Sequence, residues 1–100
     1  MKTWNVFIDD MNQKKIKSYN IFEHSRFNNE VNQLYNLYPS KDMFAHELRL
    51  ILRCCFHTKC EYEVHISSMF NNESICKIDV YKQVMLNWNR FLDYVWDNRD

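Results

Sequence analysis

Cys60-Glu61-Tyr62-Glu63-Val64-His65-Ile66 is the stretch that decides the fold class. Apolar Cys60, Tyr62, Val64 and Ile66 alternate with polar Glu61, Glu63 and His65, which is the period-two signature of a half-buried β-strand. The segments on either side have helical period instead, so the chain must mix strands with helices rather than belong to an all-α bundle.

Upstream, Ser40 is placed to cap a helix whose apolar positions Phe44, Leu48, Ile51, Leu52, Cys55 and Phe56 recur every three or four residues. Pro39, the only proline, separates it from another helix, capped by Ser25 and carrying Phe27, Val31, Leu34, Tyr35, Leu37 and Tyr38. Before these, Trp4, Val6 and Ile8 alternate within Thr3–Asp10, with Phe7 breaking the pattern, and Ile16–Phe22 gives a weaker strand signal. The two read as a β-hairpin. Downstream, Ser67–Ser74 reads as a loop, Ile75–Tyr81 as a partner strand presenting Lys77 and Asp79 outward, and Lys82–Trp96 as a helix with Val84, Trp88, Phe91, Leu92 and Val95 on one stripe. The expected architecture is a single α+β domain over residues 1–100. It has an antiparallel sheet of about four strands, helices packed on one face, and the order β-β-α-α-β-β-α.

Composition narrows the function classes. Glycine is absent, where about seven would be usual in a chain of this length. Phosphate-cradling loops, dinucleotide fingerprints and nucleophile elbows all use glycine for tight turns or close approach, so none occurs in standard form. Turns that need positive φ should fall to asparagine, with Asn12 and Asn71-Asn72 in suitable places. Thirteen basic residues balance thirteen acidic ones, which argues against direct nucleic-acid binding. No run suits a signal peptide or a membrane span, so a cytoplasmic protein with reduced thiols is expected.

Several constellations bear on chemistry. Glu61, Glu63, His65 and Asp79, with Lys77 nearby, would meet on one sheet face if the strands at Cys60 and Ile75 paired. Those residue types could hold a divalent metal and hydrolyse a phosphodiester. The same spacing follows from alternation alone, and an exposed face of mixed charge is the simpler reading. Cys54, Cys55, His57 and Cys60 gather zinc-ligand types, but no C-x-x-C pair exists and helical period puts Cys55 on the core stripe. A Cys/His nucleophile pair using His24, His46, His57 or His65 has no supporting spacing. No catalytic residue, metal ligand or cofactor is therefore assigned. The surplus of aromatics points to binding instead. The expected partner-binding surface is the charged face of Glu61, Glu63, His65 and Lys77 with neighbouring Trp4 and Tyr81, and next to it in order the last helix around Asn87, Arg90 and Tyr94.

A resemblance sharpens this. Asn20-Ile21-Phe22-Glu23-His24, Lys59-Cys60-Glu61-Tyr62-Glu63-Val64, Lys77-Ile78-Asp79-Val80-Tyr81, Gln83-Val84-Met85-Leu86-Asn87-Trp88 and Arg90-Phe91-Leu92-Asp93-Tyr94-Val95-Trp96 resemble a family of small proteins carried by phages and mobile elements of low-GC Gram-positive bacteria. The similarity runs nearly end to end, although Cys54-Cys55-Phe56-His57 stands where that family commonly has aromatics. The resemblance implies a counter-defence factor of the bacterial host cell, such as an anti-CRISPR protein, whose partner is an effector like a Cas nuclease. A small metal-dependent nuclease or hydrolase and a DNA-binding regulator are the alternatives.

Overall fold

The computed structural model describes residues 2–12, 14–57, 63–67 and 72–99; the side chains of residues 63, 65–67, 72 and 73 lie outside that description. The described elements are β1 (Asn5–Asp10), β2 (Lys15–Asn20), a 3-10 turn (Ile21–Glu23), α1 (Ser25–Leu37), α2 (Lys41–Phe56), β3 (Glu63–Ser67), β4 (Asn72–Cys76), α3 (Lys77–Leu86) and α4 (Trp88–Asp97). The chain is α+β, as its mixed periodicities require.

β1 and β2 form an antiparallel hairpin in continuous register from Asn5 opposite Asn20 to Asp10 opposite Lys15. Val6 and Tyr19 are buried on its inner face, whereas Phe7 and Ile16 stand exposed on its outer face. At its turn the Asn12 N–H donates to Asp10 Oδ1 at 3.1 Å, and the positive φ falls on Lys14 (52°) rather than on Asn12. In this glycine-free turn the side chain of Asp10 stabilises the bend and a lysine takes the left-handed position.

Asn20 turns the chain from strand to helix. Its Oδ1 accepts from the N–H groups of Trp4 (3.0 Å) and Phe22 (3.1 Å), tying the strand end to the 3-10 turn. The strand expected to reach Phe22 therefore stops at Asn20, and Ile21 and Phe22 drop into the core. α1 is capped by His24, not Ser25. His24 keeps extended backbone and its Nδ1 accepts from the Phe27 N–H at 3.2 Å. Ser40 holds the cap position of α2 but makes no side-chain cap bond.

Three expectations fail in the C-terminal half. First, the strands form two separate two-stranded sheets, β1-β2 and β3-β4, instead of one four-stranded sheet. Second, the strand expected over Ile75–Tyr81 ends at Cys76, and Lys77, Asp79 and Tyr81 belong to α3. Val80 and Val84, one helical turn apart, are both fully buried, and Asp79 in the first turn suits the helix dipole. The apolar spacing of Ile78 and Val80 fits a strand, but continuity with Val84 extracts more burial from a helix. Third, the helix expected over Lys82–Trp96 is broken at Asn87. Its N–H closes a tight turn on the Val84 carbonyl (3.1 Å), while its own carbonyl starts α4 by accepting from Phe91 N–H (2.9 Å).

One core joins all elements. Phe91 in α4 lies at ring-centroid distances of 5.4 Å from Trp4, 6.3 Å from Phe22, 6.3 Å from Phe27 and 6.3 Å from Trp88. Ile21, Phe44, Leu48, Leu52 and Phe56, with Val31 of α1, are fully buried around Val80, Val84 and Val95. Tyr35 stacks on Phe44 at 5.4 Å and donates its hydroxyl proton to the Val95 carbonyl at 2.7 Å, which locks α1, α2 and α4 together. Truncating Phe91 to alanine should lower unfolding stability by about 3–5 kcal/mol in urea titrations, because it opens a cavity facing Trp4, the 3-10 turn and α1 at once. Leu86→Ala, at an exposed position, should stay within about 0.5 kcal/mol of wild type.

Candidate functional site

The surface expected to bind a partner is not assembled as the alternation of strands suggested. Glu61 lies outside the described residues, and Glu63 and His65 occupy β3 positions opposite Cys76 and Ser74. Lys77 and Asp79 are on α3, off any strand, so they do not extend that strand face. Trp4 is half-buried, its ring 5.4 Å from both Phe91 and Tyr94, and Tyr81 is half-buried with its ring 4.8 Å from His57. Both act as packing residues at the border of the core rather than as exposed anchors. Among the described residues no group of three His, Cys, Asp or Glu side chains is close enough to hold a metal ion.

The thiols separate by environment. Cys54 is exposed on α2 beside Leu50, Arg53 and His57, which line a shallow depression of about 320 Å³. Cys55 is buried and donates to Glu30 Oε2 across 3.9 Å. Burial, followed by the Glu30 carboxylate, pushes its thiol up to about 11, so it is protonated and poorly nucleophilic at neutral pH. Cys76 is half-buried and Cys60 lies outside the described residues. His46 is exposed on α2.

His24 is a half-buried titratable group held by two partners. Its ring lies 4.9 Å from that of Phe56, and its Nδ1 is occupied as the α1 cap. Burial first, then the positive charges of Lys77 and Arg26, hold its pKa below the ordinary 6.5, with Glu30 opposing. A protonated ring would lose the acceptor that holds Phe27 N–H. The arrangement fixes a helix start; it leaves His24 no lone pair on Nδ1 for catalysis.

What the structure does gather is an exposed apolar face on the first hairpin. Ile16 stands opposite Asp9 and Phe7 opposite Ser18, so Phe7 and Ile16 are diagonal neighbours on the outer face, with Met11 at the turn. Phe7 is 59% exposed, Ile16 71% and Met11 82%. Among the described residues no strand pairs with the outer edge of β1. Two depressions follow one another along it, of about 350 Å³ beside Asn5 and Phe7 and about 420 Å³ beside Asp9 and Asp10. Gln83, Asn87 and Arg90 wall the first, and Asp79 with Ser74–Cys76 of β4 walls the second. Sequence reasoning noticed that Phe7 interrupts the alternation of β1, which was the available signal for this face. It also named Asn87 and Arg90 as a second-ranked surface.

Compared with models of protein families, with curated proteins and with solved structures, the chain matches none.

Two outcomes follow. Because the folded pKa of His24 is lowered, its contribution to stability is complete above the ordinary histidine value of 6.5 and is lost as pH falls through that value toward the folded one. His24→Asn retains a cap acceptor without titrating, so urea midpoints measured from pH 8 to 5 should flatten in this region. His24→Ala should flatten them too but lose about 1 kcal/mol throughout. In peptide-mapped alkylation of the native protein, Cys54 should be modified well before Cys55, and unfolding in urea should abolish the difference.

Proposed function

We propose that this chain acts by binding another protein, and that the partner is a bacterial immune effector of the CRISPR-nuclease kind whose working surface it occupies. The observation that carries the binding reading is the bare apolar face of the first hairpin, where Phe7, Ile16 and Met11 project from a two-stranded sheet whose opposite face is anchored by Val6 and Tyr19. Exposed apolar side chains grouped on a rigid element mark interaction sites more often than those scattered singly. The hairpin is held rigid from below by the Asn20 bonds and by Trp4 against Phe91. Preorganisation of this kind reduces the entropy lost on binding.

Support for the narrower choice of partner comes from the resemblance to small phage and mobile-element proteins, which points to counter-defence as the biological setting. Inhibition would then be steric.

The test is a reconstituted DNA-cleavage reaction with purified CRISPR nucleases from Gram-positive hosts. Wild-type protein should inhibit one of them stoichiometrically. The double variant Phe7→Asp with Ile16→Asp should keep its circular dichroism spectrum and need at least about tenfold more protein for the same inhibition, since two apolar contacts are replaced by desolvated charges. A folded double variant of undiminished potency would remove the hairpin face from the reading, and an absence of inhibition across the nuclease types would remove the nuclease.

A further inference from the structure

Backbone geometry gives the open edge of β1 a specific chemistry. The Ile21 N–H donates to the Trp4 carbonyl at 3.1 Å, and this pair continues the register that sets Asn5 opposite Asn20. In an antiparallel ladder, pairs that exchange hydrogen bonds alternate with pairs that do not. Counting on from Trp4–Ile21, the exchanging pairs are Val6–Tyr19, Ile8–Lys17 and Asp10–Lys15. The N–H and C=O groups of Asn5, Phe7 and Asp9 therefore point away from β2. Among the described residues no hydrogen bond reaches them from the other side. A strand edge of this kind is a template for another strand.

Charge along the edge says which strand fits. At its beginning, the depression beside Asn5 and Phe7 is lined by Arg90 and by no acidic residue. At its end, the depression beside Asp9 and Asp10 contains Asp79 as a third carboxylate, with Lys17 already engaged by Asp10 at 3.3 Å. Among the described residues Asp9, Asp79 and Arg90 form no ion pair. The edge is thus positive where β1 starts and negative where it ends. An antiparallel guest must be positive at its own beginning and negative at its end, and β1 itself has that polarity.

We propose that β1 pairs antiparallel with β1 of a second copy of this chain, across a two-fold axis at Phe7, to form a continuous four-stranded sheet in the order β2-β1-β1-β2. In this register Phe7 of one copy exchanges both backbone bonds with Phe7 of the other, and Asn5 exchanges both with Asp9 on each side of the axis. Every outward group of the edge is then satisfied. Arg90, beside Asn5, is brought to the carboxylate end formed by Asp9 and Asp79 of the second copy. The two Phe7 rings become direct cross-strand neighbours on the outer face, where such aromatic pairs are favourable. An isologous contact of this sort closes on itself and stops at two copies. Because a strand edge buries less area than a standard interface, the dimer is concentration-dependent rather than obligate.

Sedimentation equilibrium of the full chain over a wide concentration range, combined with amide hydrogen exchange read by NMR, tests this. The expected result is a monomer–dimer equilibrium in which Val6, Ile8 and Asp10 amides are protected in both states, while Asn5, Phe7 and Asp9 amides are protected only in the dimer. Asp9→Lys alone and Arg90→Glu alone should each weaken the dimer by about tenfold, because each substitution acts twice across the axis, and combining them should restore much of the loss. Asp9→Pro removes an outward N–H without touching the β1–β2 ladder. It should therefore give a folded monomer, with folding checked by the unchanged protection of Val6 and Ile8. A chain monomeric at every concentration overturns the proposal, as does a dimer whose Asn5, Phe7 and Asp9 amides still exchange freely. Protection of those amides that arises only when a different protein is bound to a monomeric chain assigns the edge to a foreign strand and overturns it too.

Discussion

Phe91 is the contact on which the rest of the arrangement depends. It is reached by Trp4 from the start of β1, Phe22 from the 3-10 turn, Phe27 from α1 and Trp88 from its own helix. Phe27 is its counterpart on α1, meeting Phe22, Phe56 and Phe91 in turn. The joint at Asn87 exists in physical terms because α4 must turn to put Phe91 there. An unbroken helix from Lys77 to Asp97 would be about 30 Å long and would carry its second half away from Trp4. The same turn brings Arg49 of α2 over the Trp88 ring at 4.7 Å and leaves Gln83, Asn87 and Arg90 as a polar wall beside β1. The core and the open groove are therefore two results of one break in a helix.

Legibility of the fold in the sequence followed the strength of periodicity. Both central helices had clear patterns, the first hairpin a weaker one, and a proline between the helices set their boundary. Their buried faces follow: Val6 and Ile8 against Phe7, and Phe44, Leu48, Leu52, Cys55 and Phe56 along α2. Ile75–Tyr81 was ambiguous because a short run of β-branched residues satisfies period two and period three-to-four alike. The decision was made by Val84, five residues beyond the charged pair of Lys77 and Asp79, through a burial that only a helix could add. The supposed single sheet failed for a tertiary reason: α3 packs against β1, and β3 and β4 satisfy each other in a ladder of their own. Helix starts were also partly hidden, since histidine is a less expected cap than the serine that follows it.

The binding surface was less legible than the fold. Alternation correctly marks which side chains of a strand share a face, but it cannot say which strands lie side by side, and the charged surface drawn from Glu61, Glu63, His65 and Lys77 depended on that adjacency. Trp4 and Tyr81 were counted as exposed anchors because Tyr and Trp favour interfaces. Here they meet Phe91 and His57 and serve packing. Phe7, Ile16 and Met11 are ordinary core types, and only the pairing of β1 with β2 reveals that Phe7 and Ile16 share one exposed face. The thiols were legible through helical period, which put Cys55 inside and leaves its neighbour Cys54 outside.

Tyr94 and Trp4 join segments almost a full chain length apart: the Thr3 N–H donates to the Tyr94 hydroxyl at 3.1 Å across a separation of 91 positions. The hairpin β1–β2 and the α1–α2 pair, by contrast, are made of near neighbours and can form as local events. Closing a loop of some ninety residues carries an entropic cost that grows with the logarithm of length, about (3/2)RT ln n. That closure is rewarded only when Phe91 and Tyr94 meet Trp4 together. The two local units are therefore closed at little entropic cost, and the seating of α4 against Trp4 is the long-range closure that joins the ends of the chain.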